Sequence, residues 1–415
     1  MLSTYARPSA PAATDPACRL CGARLHRTLL DLGIQPMANR TLAPWETDDT
    51  PHPLHVRICD TCTLVQVDQP RITAATPAFV SPEITRERTV PQATMPFGPI
   101  NTSPQPDRYA ETMRKRLHLN TDSLVIQVGA DNEATIRNFQ NTAIPVMEIS
   151  PRSAFNTETA MQVAVRQGRA DLVMATDVLQ HAPDLFDFAT GLASILRPNG
   201  VLGLQVPYLV SLVQNLRFDA FQHQTCTYLS LKVLEHVLRS VGLRVFDAEA
   251  LPNHGGSIRI HACHAVGPFA ARPGLKTMRQ AERHAELDQR DFYTGFAQRV
   301  AASRADTQDF LRTRQEAGRR VAAYGATPNG GMLLNCCGIT NQQIARVGDP
   351  DPNKHGHRLP GSRIPIVPLQ TLLDEPPDDI LVLPGCAPAE VATYMPALRQ
   401  RGTLLWTATP RIARV

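Results

Sequence analysis

The chain has 415 residues, 43% of them hydrophobic and only 5% aromatic, enough for two or three domains that each bury a core. Its 42 basic and 38 acidic residues leave a net charge of +4 with no long Lys/Arg run, which argues against a nucleic-acid partner. No stretch approaches the roughly 18 to 20 unbroken apolar residues of a membrane span, and the start MLSTYARPSAPAATDPACRLC has no apolar signal core, so a cytoplasmic protein without a membrane partner is expected.

Residues 1–17 are rich in Ala and Pro and read as a flexible N-terminus. Residues 18–75 hold short β-like pieces, LHRTLLDLG and LHVRICDTCTLVQV, around two cysteine pairs, with too little core to stand without a staple. From 76 to 274 helices and apolar strands alternate: RYAETMRKRLHL (helix), SLVIQVGA and ADLVMATDVL (strands), FDFATGLASILRP (helix), GVLGLQVPY (strand) and LSLKVLEHVLRSVG (helix). That alternation predicts a mostly parallel sheet covered on both faces, with ligands at the carboxyl ends of its strands. Residues 275–318 read as a charged helical linker. A second βαβ run over 319–415 begins with RRVAAYGAT and a helical NGGMLLNCCG, then continues through DDILVLPG to TLLWTA. The fold class is therefore α/β: a small N-terminal zinc-binding module, a central Rossmann-like domain and a C-terminal Rossmann-like domain.

Cys18-x-x-Cys21 and Cys59-x-x-Cys62 are separated by 37 residues. Each pair sets two thiolates on one tight turn, and two facing turns supply the four soft ligands of a tetrahedral structural zinc. Redox dithiols or unrelated buried cysteines are the alternatives, and the paired spacing favours the metal. Nine cysteines, an odd number, in a chain of this size without an export signal fit reduced thiols better than disulfides. Cys226, Cys263, Cys336, Cys337 and Cys386 lie in apolar contexts and read as small buried hydrophobes.

Taken in order, CRLC with LLDLGIQPMANRTL, ICDTCTLVQV, ADLVMATDVLQHAPDLFDF, ILRPNGVLGLQVPYL, FDAFQHQTCTYLS, LPNHGGSIRI, VAAYGATPNGGMLLNCCGI and DPDPNKHGHRLPGSRIPIV resemble the zinc-containing C-methyltransferases that use S-adenosylmethionine and act on nucleotide-linked keto-deoxysugars. The resemblance spans nearly the whole chain. It implies a class I methyltransferase fold for the central domain, with the sugar nucleotide held between that domain and the C-terminal one.

Several positions depart from the family pattern. After the first central strand the family has an acid, a glycine-rich turn and Asn-Asp-Gly; here Gln127, Gly129, Asp131, Asn132 and Glu133 occupy that turn, and only Gly129 keeps its place as a cofactor-binding residue. Glu148 is the nearest acid for the ribose hydroxyls, while a bulky Glu133 crowds the place of the methionine moiety, which sets the departures against S-adenosylmethionine as a working cofactor. The family's Tyr-His-Glu-His run is Gln222-His223-Gln224-Thr225, leaving His223 as the candidate base. Asp219 and Tyr228 persist around it, and His181 stands either beside the cofactor or as a loop cap. His254, Ser257, Arg259 and Tyr324 are the substrate-binding positions carried over. Asp131, Glu133 and Arg137 read either as solvated helix-start charges or as a charged pocket for an amine or an anion. The loop from Gly325 to Gly331 opens a helix and forms an anion site, in which Asn329 replaces the family's lysine and Lys354, His357 and Arg358 partly compensate.

Three functions follow. The first is an enzyme of specialised (natural-product) biosynthesis that keeps the cleft and catalyses a reaction without S-adenosylmethionine on a small or carrier-bound intermediate, such as ring closure by intramolecular displacement. The others are an S-adenosylmethionine-dependent C-methyltransferase and a non-catalytic protein that presents substrate to another enzyme, with a small partner protein compatible with each.

Overall fold

The computed structural model describes residues 16–47, 49–68, 105–129, 139, 142–149, 155–252, 255–386 and 388–415. Asp131, Glu133, Arg137 and His254 lie outside these described residues.

The cysteine-bearing segment forms β1 (Arg27–Gln35), β2 (His52–Ile58) and β3 (Val65–Val67). In β2 the residues Leu54, Val56 and Ile58 alternate inward and are almost completely buried, the pattern of a strand with one face on a core. The sheet continues through β8 (Thr227–Tyr228), which belongs to the central region and pairs antiparallel with β3. A strand from the next domain thus completes the small sheet.

The central sheet has the order β5 (Val146–Ile149), β4 (Val125–Gly129), β6 (Ala170–Thr176), β7 (Leu196–Pro207), β10 (Ser257–His264), β9 (Leu243–Leu251). Every residue of β4 is buried, as expected of a parallel strand covered on both faces. Its covering helices are α1 (Gln105–Leu117) on one face, with α2 (Thr157–Gln167), α3 (Leu185–Ser194) and the strongly amphipathic α5 (Leu231–Ser240) on the other; the short α4 (Leu209–Gln214) follows β7. Asp184 caps α3 by accepting hydrogen bonds from the backbone N–H groups of Phe186 and Asp187. β9 and β10 form an antiparallel hairpin that the sequence reading did not include among its strands. β5 is an edge strand, and the chain returns from it to β6 by way of α2.

The charged stretch before the last domain is three helices, α6 (Pro273–His284), α7 (Arg290–Tyr293) and α8 (Phe296–Glu316), where a single linker segment was expected. Gly295, at φ +75, precedes α8 and turns the chain into it. The C-terminal sheet runs β13 (Ile366–Pro368), β12 (Val347–Asp349), β11 (Val321–Tyr324), β14 (Asp379–Val382), β15 (Leu404–Thr407), β16 (Ala413–Arg414), parallel except for the last strand. It carries α9 (Pro328–Cys336), α10 (Leu369–Asp374) and α11 (Pro388–Gln400).

Both large sheets have a point where the strand order reverses, between β4 and β6 in the centre and between β11 and β14 at the C-terminus. Crevices at such points are where open α/β sheets bind ligands. One contiguous apolar cluster joins the cysteine module, one face of the central sheet and one face of the C-terminal sheet. The cysteine module also reaches the last domain through the backbone pair Leu42 and Arg358 and through Arg363, which donates to the carbonyls of Glu46 and Thr47. Among the described residues no helix is long and apolar enough to cross a membrane.

Candidate functional site

The four sulfurs of Cys18, Cys21, Cys59 and Cys62 lie within 4.8 Å of one another. The pairs Cys18–Cys62 and Cys21–Cys59 are 3.5 Å apart. A tetrahedral zinc with Zn–S near 2.3 Å requires neighbouring sulfurs about 3.8 Å apart, so the donor set fits. The turns are built for it: Gly22 donates its N–H to the Cys18 carbonyl, Thr63 donates to the Cys59 carbonyl, and both adopt positive φ. Hydrogen bonding from the Cys62 thiol lowers the pKa of the Cys18 thiol, favouring the thiolate that a metal binds. With four cysteines the coordination sphere would be closed, and the metal would staple the module rather than activate water.

At the central switch point Gly129 ends β4 with φ +87, and a Cβ there would fall 1.8 Å from Val178 Cγ1. Packing against the loop after β6 therefore requires glycine independently of any ligand. Glu148 is exposed near the end of β5, in register with Gln127. Gln127 is 1% exposed, and its Nε2 is buried without a partner. For the S-adenosylmethionine that the resemblance implies, Gly129 and Glu148 keep the frame but the first strand offers a neutral, unsatisfied amide in place of a carboxylate.

The residues around the candidate base form one connected set. Arg217 grips Asp219 with a two-pronged fork at 2.9 and 2.7 Å, and Asp219 is fully buried. Gly255 leaves room for this fork, because a Cβ on it would lie 1.7 Å from an Arg217 guanidinium nitrogen. From the C-terminal domain, Asn329 donates its Nδ2 to Asp219 Oδ2 at 3.0 Å, and Gln222 donates its Nε2 to Asn329 Oδ1 at 3.0 Å. Gln224 donates in turn to Gln222 Oε1. The Tyr228 hydroxyl accepts from the Gln222 N–H at 2.9 Å and donates to the Ala220 carbonyl at 3.0 Å; burial raises its pKa, so it serves as a pillar under the loop.

His223 is 7% exposed and points toward the cysteine module, where its Nε2 meets the His52 carbonyl at 3.2 Å. A carbonyl can only accept, so Nε2 carries the hydrogen and Nδ1 keeps its lone pair. That Nδ1 is buried without a partner. Desolvation pushes the His223 pKa below the usual histidine range, which keeps the ring neutral at pH 7. His181 follows the same logic: its Nδ1 donates to the Gln224 carbonyl at 2.8 Å, its Nε2 faces the Gln180 amide at 3.4 Å, and burial lowers its pKa.

The other predicted substrate residues are placed differently. Tyr324 is completely buried in the C-terminal core with Ile380, Met395 and Leu405, so its side chain does not line a cleft. Arg259 bonds Gln205 at 2.9 Å and Glu249 at 3.3 Å and stacks 4.0 Å above the Tyr109 ring, which makes it a latch for α1. Ser257 is fully buried at the start of β10. Around the start of α9, Lys354 bonds Asp349 and the Ala326 carbonyl, each at 3.2 Å, and His357 bonds Thr41 at 2.7 Å. These groups are committed within the protein, and Thr327 caps the helix by accepting from Gly330. Arg217 and Val178 were not singled out by sequence. An opposite charge two residues from Asp219 was the only available signal, and it applied to Arg217 alone.

Residues 18–72 match a zinc binding domain family, residues 105–248 a methyltransferase domain family and residues 252–410 the C-methyltransferase C-terminal domain family. The C-methyltransferase NovU of Streptomyces niveus is 29% identical over 389 residues, covering 88% of this chain and 89% of that protein. Among solved structures, magnesium protoporphyrin IX methyltransferase (ChlM) of Synechocystis PCC 6803 covers 39% of this chain and 82% of its own at 17% identity and a TM-score of 0.29. The 1,6-didemethyltoxoflavin-N1-methyltransferase of Burkholderia thailandensis covers 39% and 80% at 18% identity and a TM-score of 0.28; at such scores neither superposition carries an argument. The chain is thus matched, in order, by a zinc binding domain family, a methyltransferase domain family and the C-methyltransferase C-terminal domain family, and it is similar over most of its length to a C-methyltransferase.

Proposed function

We propose that this chain is an enzyme of specialised (natural-product) biosynthesis that closes a ring in a small or carrier-bound intermediate without S-adenosylmethionine, using orientation and one base. The observation that carries the reading is His223: a neutral imidazole, anchored through Nε2 to a backbone carbonyl, whose buried Nδ1 lone pair has no donor. On either side of it in the chain Gln222 and Gln224 are uncharged amides, joined to a third, Asn329. Such a set suits a nucleophile and a leaving group within one molecule, because neither a sulfonium nor a diphosphate needs to be neutralised.

In the step, His223 Nδ1 takes the proton of the substrate's N–H or O–H nucleophile as that atom attacks the carbon bearing the leaving group. The carbon–leaving-group bond breaks with its electron pair going to the leaving group, and the imidazolium afterwards returns its proton to solvent. Holding both ends of such a molecule in reacting geometry is worth effective molarities on the order of 10⁵ to 10⁸ M. Calorimetric titration with S-adenosylmethionine and S-adenosylhomocysteine tests the cofactor-free part, and micromolar binding of either would overturn it. Unchanged turnover of the pathway intermediate by His223→Ala would remove the base.

A second reading, methyl transfer from S-adenosylmethionine to a nucleotide-linked keto-deoxysugar, is favoured by the likeness to a C-methyltransferase over most of the chain and by Gly129 and Glu148 at the strand ends. Transfer of a labelled methyl group to such a sugar would establish it.

A further inference from the structure

The hydrogen-bonded set beside His223 has a fixed polarity. An Arg-paired carboxylate can only accept, so Asp219 forces Asn329 to present its NH₂ group, which turns the Asn329 carbonyl toward Gln222. Gln222 must then present its own NH₂ to that carbonyl and its Oε1 to Gln224, and Gln224 must donate to Gln222. The amide orientations are therefore set by the one group in the series that cannot donate. The series ends on Gln224 Oε1, an oxygen that is buried and has no donor.

A second, shorter series runs through His181, whose Nδ1 donates to the backbone carbonyl of Gln224. Since His181 donates from Nδ1 to the Gln224 carbonyl, its Nε2 can only accept, and Gln180 must turn its NH₂ toward it. That leaves Gln180 Oε1 outward, again buried and without a donor, on a side chain 4% exposed. Two independent constraints thus leave two amide oxygens without donors: that of Gln180, on the loop that follows β6 at the ligand-binding end of the central sheet, and that of Gln224, whose backbone carbonyl takes the His181 N–H. Asp177, on the same loop, contributes negative potential at His181. An unmet buried acceptor costs more than an ordinary hydrogen bond contributes, so a partner with hydrogens to donate is required.

We infer that Gln180 and Gln224 are specificity-determining residues that read a hydrogen-bond donor on the substrate, an amine in its ammonium form, through two preset amide oxygens. The inference rests on the proposed function in placing substrate at this loop, and it names the substrate class: a molecule carrying a primary amino group. The carboxylate of Asp177 favours the ammonium over a hydroxyl of the same size.

The test is an NMR titration of the zinc-loaded full-length protein, ¹⁵N-labelled at glutamine side chains, with propylammonium chloride as probe, propanol as its neutral counterpart, and sodium chloride at matched ionic strength. Saturable shifts of the Gln180 and Gln224 amides with propylammonium, roughly tenfold weaker with propanol, are expected. Gln180→Met and Gln224→Met each lower propylammonium affinity by roughly tenfold with an unchanged methyl spectrum. Asn329→Leu, which is two links away, lowers it as well, because Gln222 and Gln224 are then free to turn over. No saturable shift, or parent-level propylammonium affinity in both methionine variants, would assign the two oxygens to ordered water only and overturn the inference; so would full affinity in Asn329→Leu. Tight S-adenosylmethionine binding would sink the cofactor-free reading and leave this result standing, so the two failures are separable.

Discussion

Single residues carry opposite burdens in this protein. Gly129 has no latitude: Ala at this position would place a methyl group inside Val178 and hold a Cβ at φ +87. We expect Gly129→Ala to lower stability by at least about 2 kcal/mol, read as a fall in the denaturation midpoint. His261 shows the cost of a buried base. It is 4% exposed, and burial together with Arg116, Arg259 and Arg272 depresses its pKa to about 3. The unfolded chain binds a proton near pH 6.5 while the folded one does not, so His261 contributes stability above that pH and loses it as pH falls toward 3. Unfolding midpoints between pH 7 and 4 should fall less steeply in His261→Gln than in the parent, and parallel curves would refute this assignment. At this scale the sequence made the four cysteines legible, because spacing and residue type are enough for them. It left the amide polarity hidden, since whether Gln224 donates or accepts depends on Asn329, a residue of another domain.

Elements were easier to read than their junctions. The apolar run of β4, the period of α5 and the loop opening α9 followed from local chemistry. The hairpin of β9 and β10 was missed, because its residues LRVFDAEAL and SIRIHACH alternate only on the face turned to α1 and are apolar on the other. Thr327 is the cap of α9, accepting from Gly330 at 2.9 Å and donating to the Pro384 carbonyl, and so ties the loops after β11 and β14 together. Thr327→Ala should cost about 1 kcal/mol, with Thr327→Ser restoring most of it in a denaturant titration. Gly255→Ala, whose methyl would meet the Arg217 guanidinium, is expected to break the fork on Asp219. Its mark should be a loss of stability far larger than that of an exposed Gly402→Ala, where nothing lies within 4 Å.

For the whole molecule, one apolar cluster runs from the cysteine module to the last sheet, so unfolding should be felt everywhere at once. A chelator that strips the metal should lower the melting temperature of all three parts together, since the small sheet shares β8 with the central region. Separate transitions by differential scanning calorimetry, with only the cysteine module released, would contradict this. The order of the domains was legible because each has its own hydrophobic period. Their contacts were not, since pairs such as Leu42 with Arg358 join residues hundreds of positions apart.

The two residues of β8 bear on any attempt to divide this protein. Val65 faces Tyr228 across that ladder, and Tyr228 in turn props the turn bearing His223, whose ring is anchored by a carbonyl of β2. A fragment beginning at residue 105 would retain every strand of the Rossmann layer and still lack the carbonyl that anchors this ring. Excising the metal-binding knuckles would thus unmoor the imidazole from behind, without touching one atom of the loop that carries it.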